Sequence, residues 1–157
     1  MSQQIKLKTP DGYSAEIPIH IAHYMGMVKN ILEDVPDCKE LPLHNCTRPY
    51  LEKIILFCKH YHKNKDIDIN MIRMSPFEAL PLWYREFCIM HITEYNQLTY
   101  GANYLDIEIL RLLLCNYLLH LSKDMDSIQL RTLLGFAPLS VEKQCEISEI
   151  LNWYDPQ

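Results

Sequence analysis

Two histidine pairs are the first residues whose types and spacing invite chemistry. His20 and His23 stand at i, i+3, and His60 and His62 stand two apart. Either pair could give two ligands to a metal ion. A zinc site needs four groups, and no carboxylate or thiol stands at a companion spacing. Plain histidines at a helix start and a helix end are therefore the expected reading, with no metal. Cys88 and His91 form the closest thiol–imidazole pair, again at i, i+3. A thiol attacks only as a thiolate, and Cys88 sits in the apolar run Phe87-Cys88-Ile89-Met90, which favours an inert thiol. Glu33 and Asp34 fall where a helix ends in solvent. The four glycines, Gly12, Gly26, Gly101 and Gly135, stand alone, so no phosphate-cradling loop exists. No enzyme and no cofactor are expected.

The chemistry that remains is recognition. On a helix, Leu98, Ala102 and Leu105 share one face at i, i+4 and i+7, which is ordinary core material. Tyr100, Asn103, Tyr104 and Ile107 share another, at i, i+3, i+4 and i+7. Tyrosine beside small polar groups suits a surface on which another protein docks. Spacing alone equally allows a half-buried face whose phenols reach water.

The elements that would position this face follow from periodicity. Ile5-Lys6-Leu7-Lys8 alternates, Thr9-Pro10-Asp11-Gly12 is a turn, and Tyr13, Ala15, Ile17 and Ile19 resume the alternation. That predicts a β-hairpin, with Pro18 at an edge or an end. The period then lengthens over Ile21 to Asp34, where Met25, Val28 and Leu32 share a helical face. Gly26 is expected to weaken the start of that helix by about 1 kcal/mol relative to alanine. Glu40 to Leu43 suggests a third, short strand. A helix from Thr47 carries Pro49 in its first turn and the stripe Leu51, Ile54, Ile55, Cys58, Tyr61.

Lys63 to Leu82 has no clear period and suggests a partly packed connector. Trp83 to His91 predicts a short helix with Trp83 and Phe87 on one side. Thr93 opens the long helical stretch, Asp106 breaks it, and Ile107 to Ser122 forms a second helix that is apolar almost all round. Asp126 with Gln129 is a capping-box pattern, Gly135 is a stop, and Ser140 opens a last helix to Trp153. Strands followed by helices, without βαβ alternation or repeats, predict an α+β fold with a helical tail.

The totals agree. A chain of 157 residues, 48% hydrophobic and 22% charged, can bury a sizeable core. A net charge of −5, with no Lys/Arg run longer than two, argues against binding nucleic acid. No apolar run is long enough to span a membrane. The six cysteines are scattered, and Cys58, Cys88, Cys115 and Cys145 fall among apolar helical residues. With no signal peptide, a reduced intracellular setting is expected.

Several of these pieces are collinear with one family. Ile5-Lys6-Leu7 with Asp11-Gly12, Lys29 to Asp34, Leu41-Pro42-Leu43, Trp83-Tyr84-Arg85-Glu86-Phe87, Ala102-Asn103-Tyr104-Leu105-Asp106 and Trp153 occur in the order and approximate spacing of the S-phase-kinase-associated (Skp) adaptors. The chain resembles those F-box-binding subunits of SCF ubiquitin ligases along nearly its whole length. The related elongin C proteins lack the C-terminal helices, so Asp126 to Trp153 favours the Skp branch.

The resemblance implies a BTB/POZ fold over residues 1–122 and a helical extension over residues 123–157. It implies a cullin-binding surface with Asn103 and Tyr104, Tyr100 being their neighbour. It also implies an F-box-binding surface with Leu118, Leu134, Phe136 and Trp153. The role implied is a bridge acting by position, in cytoplasm and nucleus, with a homodimer possible when no F-box protein is bound. The sequence departs from the family at Gly101, at Met25 and Met27 (where a capping Ser and Thr are usual), and over Ile67 to Leu80. A divergent member serving as a scaffold outside ubiquitin transfer is the alternative.

Overall fold

The computed structural model describes residues 3–136 and 140–154, with side chains for 3–136 and 140–150. The chain forms two compact units, Met1–His120 and Leu121–Gln157.

Alternation builds the sheet of the first unit. Strand β1 (Gln4–Lys8) pairs antiparallel with β2 (Ser14–Pro18) and parallel with β3 (Glu40–Pro42), giving the order β2-β1-β3. Ile5, Leu7, Ala15, Ile17 and Leu41 are buried on one face. Lys6 lies opposite Glu16 and Glu40 on the other, where Lys8 pairs with Glu40. Gly12, at φ +85°, makes the hairpin turn that the Pro-Asp-Gly run predicts. Pro18 is the last residue of β2, and Ile19 leaves the strand.

The helix expected over Ile21 to Asp34 is two helices, α1 (Ile19–Ala22) and α2 (Gly26–Asp34). The reason lies eighty residues downstream. Helix α2 has no side-chain cap at Met25. Instead the Gly26 N–H donates to the Asp106 carbonyl at 3.0 Å, and the Met27 N–H donates to the Leu105 carbonyl at 3.2 Å. Two of the helix's orphan donors are thus satisfied by backbone. A Cβ on residue 26 would lie 2.9 Å from the Asp106 carbonyl oxygen and closer still to its carboxylate. Gly26 is therefore required by a close approach; it is no weak point.

Helix α3 (Arg48–Asn64) has Pro49 in its first turn and buries Leu51, Ile54, Ile55 and Cys58 as the stripe predicts. It also buries Phe57, which meets Tyr84 and Phe87 at ring-centroid distances of 6.1 and 5.5 Å. The expected connector holds α4 (Ile69–Met74), capped by the Asp68 carboxylate, which accepts from the Met71 N–H at 2.7 Å. Its surroundings bury Ile67, Ile72, Phe77 and Leu80. In α5 (Leu82–Cys88) the fully buried residues are Tyr84 and Cys88. Trp83 and Phe87 are only half-buried, stacked on each other at 5.2 Å.

Helix α6 (Ile92–Tyr104) is N-capped by His91 and packs Leu98, Ala102 and the following Leu105 into the core, all at 0% exposure. Helix α7 (Glu108–Ser122) buries Ile109, Leu110, Leu113, Leu114 and Tyr117. In the second unit, α8 (Ser127–Leu133) has the complete capping box: the Gln129 N–H donates to Asp126 Oδ1 at 2.8 Å, and the Asp126 N–H to Gln129 Oε1 at 3.0 Å. Gly135, at φ +74°, ends it, and α9 (Val141–Tyr154) follows Ser140, whose Oγ accepts from the Lys143 N–H at 3.4 Å.

Gly26→Ala is expected to lower stability by about 1–3 kcal/mol, as overpacking does, even though alanine is the better helix former. Urea denaturation measures it, and an unchanged or more stable variant contradicts the close-approach account.

Candidate protein-interaction site

The end of α6 builds the site. Core packing of Leu98 and Ala102 turns Tyr100 and Asn103 outward, and Tyr100 is 56% exposed. Tyr104 is half-buried, and its hydroxyl accepts from the His44 N–H at 3.2 Å, which ties the segment after β3 to the helix end. Asp106 takes φ +55° and stops the helix. That break removes Ile107 from the expected Tyr/Asn face: it is fully buried in the core. Tyr100, Asn103 and Tyr104 thus stand together on one turn and the next, and the aliphatic member of the predicted face does not join them.

The same break brings α7 back beside α6. Arg111 Nη2 pairs with Asp106 Oδ1 at 3.0 Å, and Arg111 Nη1 donates to Asn103 Oδ1 at 3.4 Å. No periodic signal links residues eight apart across a helix break, so the sequence pattern does not reveal Arg111. A shallow cleft of about 580 Å³ lies alongside, lined by Tyr24, Tyr61, Ile69, Asp106 and Arg111 among others.

The residues expected on the second surface are taken unit by unit. Leu118 is half-buried on α7, within the first. Leu134 is half-buried at the C-cap of α8, and Phe136 is 59% exposed, both in the second unit. The Arg131 guanidinium stands 5.7 Å from the centre of the Phe136 ring, a cation–π geometry. The Trp153 side chain lies outside the described residues. Among the described side chains of residues 121–150 none is buried, and Ile128, Val141, Ile147 and Ile150 are exposed by 43–75%.

The residues with catalytic potential are engaged structurally. Cys88 is fully buried, and burial pushes its thiol up to about 12, so a thiolate is disfavoured. His91 accepts from the Thr93 N–H at 3.3 Å as the α6 cap. His62 shares a hydrogen bond with the Tyr24 hydroxyl through Nδ1 at 3.0 Å and lies 4.8 Å from the His20 ring. His60 stacks on Trp83 at 3.6 Å. Among the described residues no three His, Cys, Asp or Glu side chains converge as metal ligands. Cys58 and Cys46 are buried like Cys88, with thiols raised by burial to about 12 and about 11. Cys115 and Cys145, expected among apolar neighbours, are exposed: Cys115 falls on the outer side of α7, and α9 buries none of its described side chains.

Comparison with known proteins gives the following likenesses. The Skp1 family, tetramerisation domain, matches residues 3–63. Two proteins of Dictyostelium discoideum, SCF ubiquitin ligase complex proteins SKP1a and SKP1b, are each 30% identical over 106 residues, which is 66% of this chain and 65% of the relative. The E3 ubiquitin ligase complex SCF subunit sconC of Talaromyces marneffei is 29% identical over 116 residues, 70% of each chain. The chain thus spans 65% of the length of the two slime-mould relatives in those matches.

Thiol burial makes a direct test. With a small alkylating reagent near neutral pH, Cys115 and Cys145 should react first, while Cys46, Cys58 and Cys88 react only after denaturant is added. Peptide mass spectrometry reads the order, and a fast-reacting Cys88 contradicts the assignment of that thiol to the core.

Proposed function

We propose that the chain, whose residues 3–63 match the Skp1 family, tetramerisation domain, is a member of that family and works as an adaptor, holding an F-box substrate receptor and a cullin in one SCF-type ubiquitin ligase. The three-stranded sheet and the helices packed on it are the α+β BTB/POZ fold. The adaptor supplies no reacting group. It turns recognition of a substrate into proximity to ubiquitin transfer, which raises an effective concentration.

The observation that carries this reading is the second unit. Large apolar side chains lie exposed along α8, the loop after it and α9, with no buried residue among those described. Apolar groups displayed that way suit a surface that another protein covers. By the family resemblance, Leu118, Leu134, Phe136 and Trp153 contact the F-box, and the division of labour falls near residue 122. The outward-facing Tyr100 and Asn103, with Tyr104 behind them, are the cullin-facing set.

The lost side-chain cap of α2 supports a scaffold outside ubiquitin transfer less than the sequence suggests, because backbone carbonyls from residues 105 and 106 take the cap's place. A homodimer through the exposed apolar residues is the competing arrangement, and it would form without a cullin.

Two variants separate the surfaces. Asn103→Lys with Tyr100→Lys should abolish cullin capture in a pull-down and leave F-box binding unchanged. Phe136→Ala should do the reverse, weakening F-box binding by about 2 kcal/mol or more, as an aromatic anchor does. Full cullin capture by the first variant, or an unchanged F-box affinity in the second, contradicts the assignment.

A further inference from the structure

The end of α6 shows more than a polar face: it shows which way its amide points. Arg111 reaches back across the helix break to Asp106 Oδ1 at 3.0 Å and to Asn103 Oδ1 at 3.4 Å. A guanidinium only donates hydrogen bonds, so the oxygen of the Asn103 amide must be the atom that faces it. The amide NH2 then points away from Arg111. Asn103 is exposed, and its Nδ2 makes no hydrogen bond among the described residues. Tyr104 is set in the same sense. Its hydroxyl oxygen is used by the His44 N–H, which leaves the phenol proton to donate. The Asn103 amide therefore presents a donor on this face, and the Tyr104 hydroxyl has a proton to donate beside it.

The charge around them limits what can accept. The Arg111 cation is already paired with Asp106, and Glu108 stands on the same rim paired with Arg73 at 3.8 Å. The carboxylates of Asp106 and Glu108 are both more than half exposed. With both guanidiniums already paired, the rim has no spare cation to offset the desolvation of an incoming carboxylate, whereas an uncharged carbonyl needs none.

We propose that Arg111 is a positioning residue that locks Asn103 as a hydrogen-bond donor, and that the cullin meets it with an uncharged carbonyl oxygen. This rests on the adaptor reading above. Arg111 does not touch the partner. It removes the amide's freedom to flip, so that the ordering is done before binding.

The test uses the full chain, with cullin affinity measured by calorimetry and F-box affinity measured beside it. Asn103→Asp keeps the size of the side chain and a partner for Arg111 but removes the donor, and should weaken cullin binding about tenfold or more. Arg111→Met should weaken it about threefold when Asn103 is present and not at all in an Asn103→Ala background, because the two act as one unit. F-box affinity should not move in any variant, which shows that each is folded. Wild-type cullin affinity in Asn103→Asp overturns the donor assignment. An equal loss from Arg111→Met in both backgrounds overturns the positioning role, since Arg111 would then act by its own contact. A wild-type chain that binds an F-box protein but no cullin overturns this inference together with the cullin half of the adaptor reading.

Discussion

The amide groups of Gly26 and Met27, donating to the carbonyls of Asp106 and Leu105, are the contact on which the first unit depends. A helix start without a side-chain cap leaves its first N–H groups unsatisfied, and burial would make that costly. Here the backbone of a distant helix break supplies the acceptors. The geometry demands a glycine on one side and a left-handed residue on the other, and Gly26 and Asp106 meet those demands. The break at Asp106 then has two further consequences. It drives Ile107 into the core, and it folds α7 back so that Arg111 reaches Asn103. Helix start, helix break and the Tyr100/Asn103/Tyr104 face are one construction.

That construction explains why a face of tyrosine and asparagine belongs to a rigid part of the molecule. Leu98, Ala102 and Leu105 fix α6 from below, and Tyr104 is tied to residue 44. Residues that recognise a partner lose less freedom on binding when their orientation is already set. The second unit is built on the opposite principle. Its helices begin at satisfied caps, yet among the described residues none of their apolar side chains is buried. Local hydrogen bonds set where α8 starts and stops, and the described apolar groups around it stay open to solvent.

Legibility in the sequence followed the range of the interactions. The hairpin, the α3 stripe, the capping box at Asp126 and the break at Asp106 are local patterns, and each was readable from spacing. What escaped depends on contacts between distant segments. Gly26 looks like a weak helix residue until Asp106 is seen against it. The split between α1 and α2 follows from the same approach. Trp83 and Phe87 share one side of α5 as their spacing predicts, but that the buried side belongs to Tyr84 and Cys88 depends on distant Phe57 and Asp66; the Tyr84 hydroxyl donates to Asp66 Oδ1 at 2.6 Å. Helix α4 differs: its signal is the local cap of Asp68 three residues before Met71, which apolar periodicity does not carry. Of the candidate site, the shared face of Tyr100, Asn103 and Tyr104 is legible in the spacing, and the contact of Arg111 with Asn103 is not.

The central claim is that one chain holds two different partners at once. Light scattering on the purified full chain, mixed with an F-box protein and the cullin's amino-terminal part, measures this directly. The account predicts a complex whose mass is the sum of one copy of each. Displacement of the F-box protein by the cullin, or a homodimer that takes up neither, would contradict it.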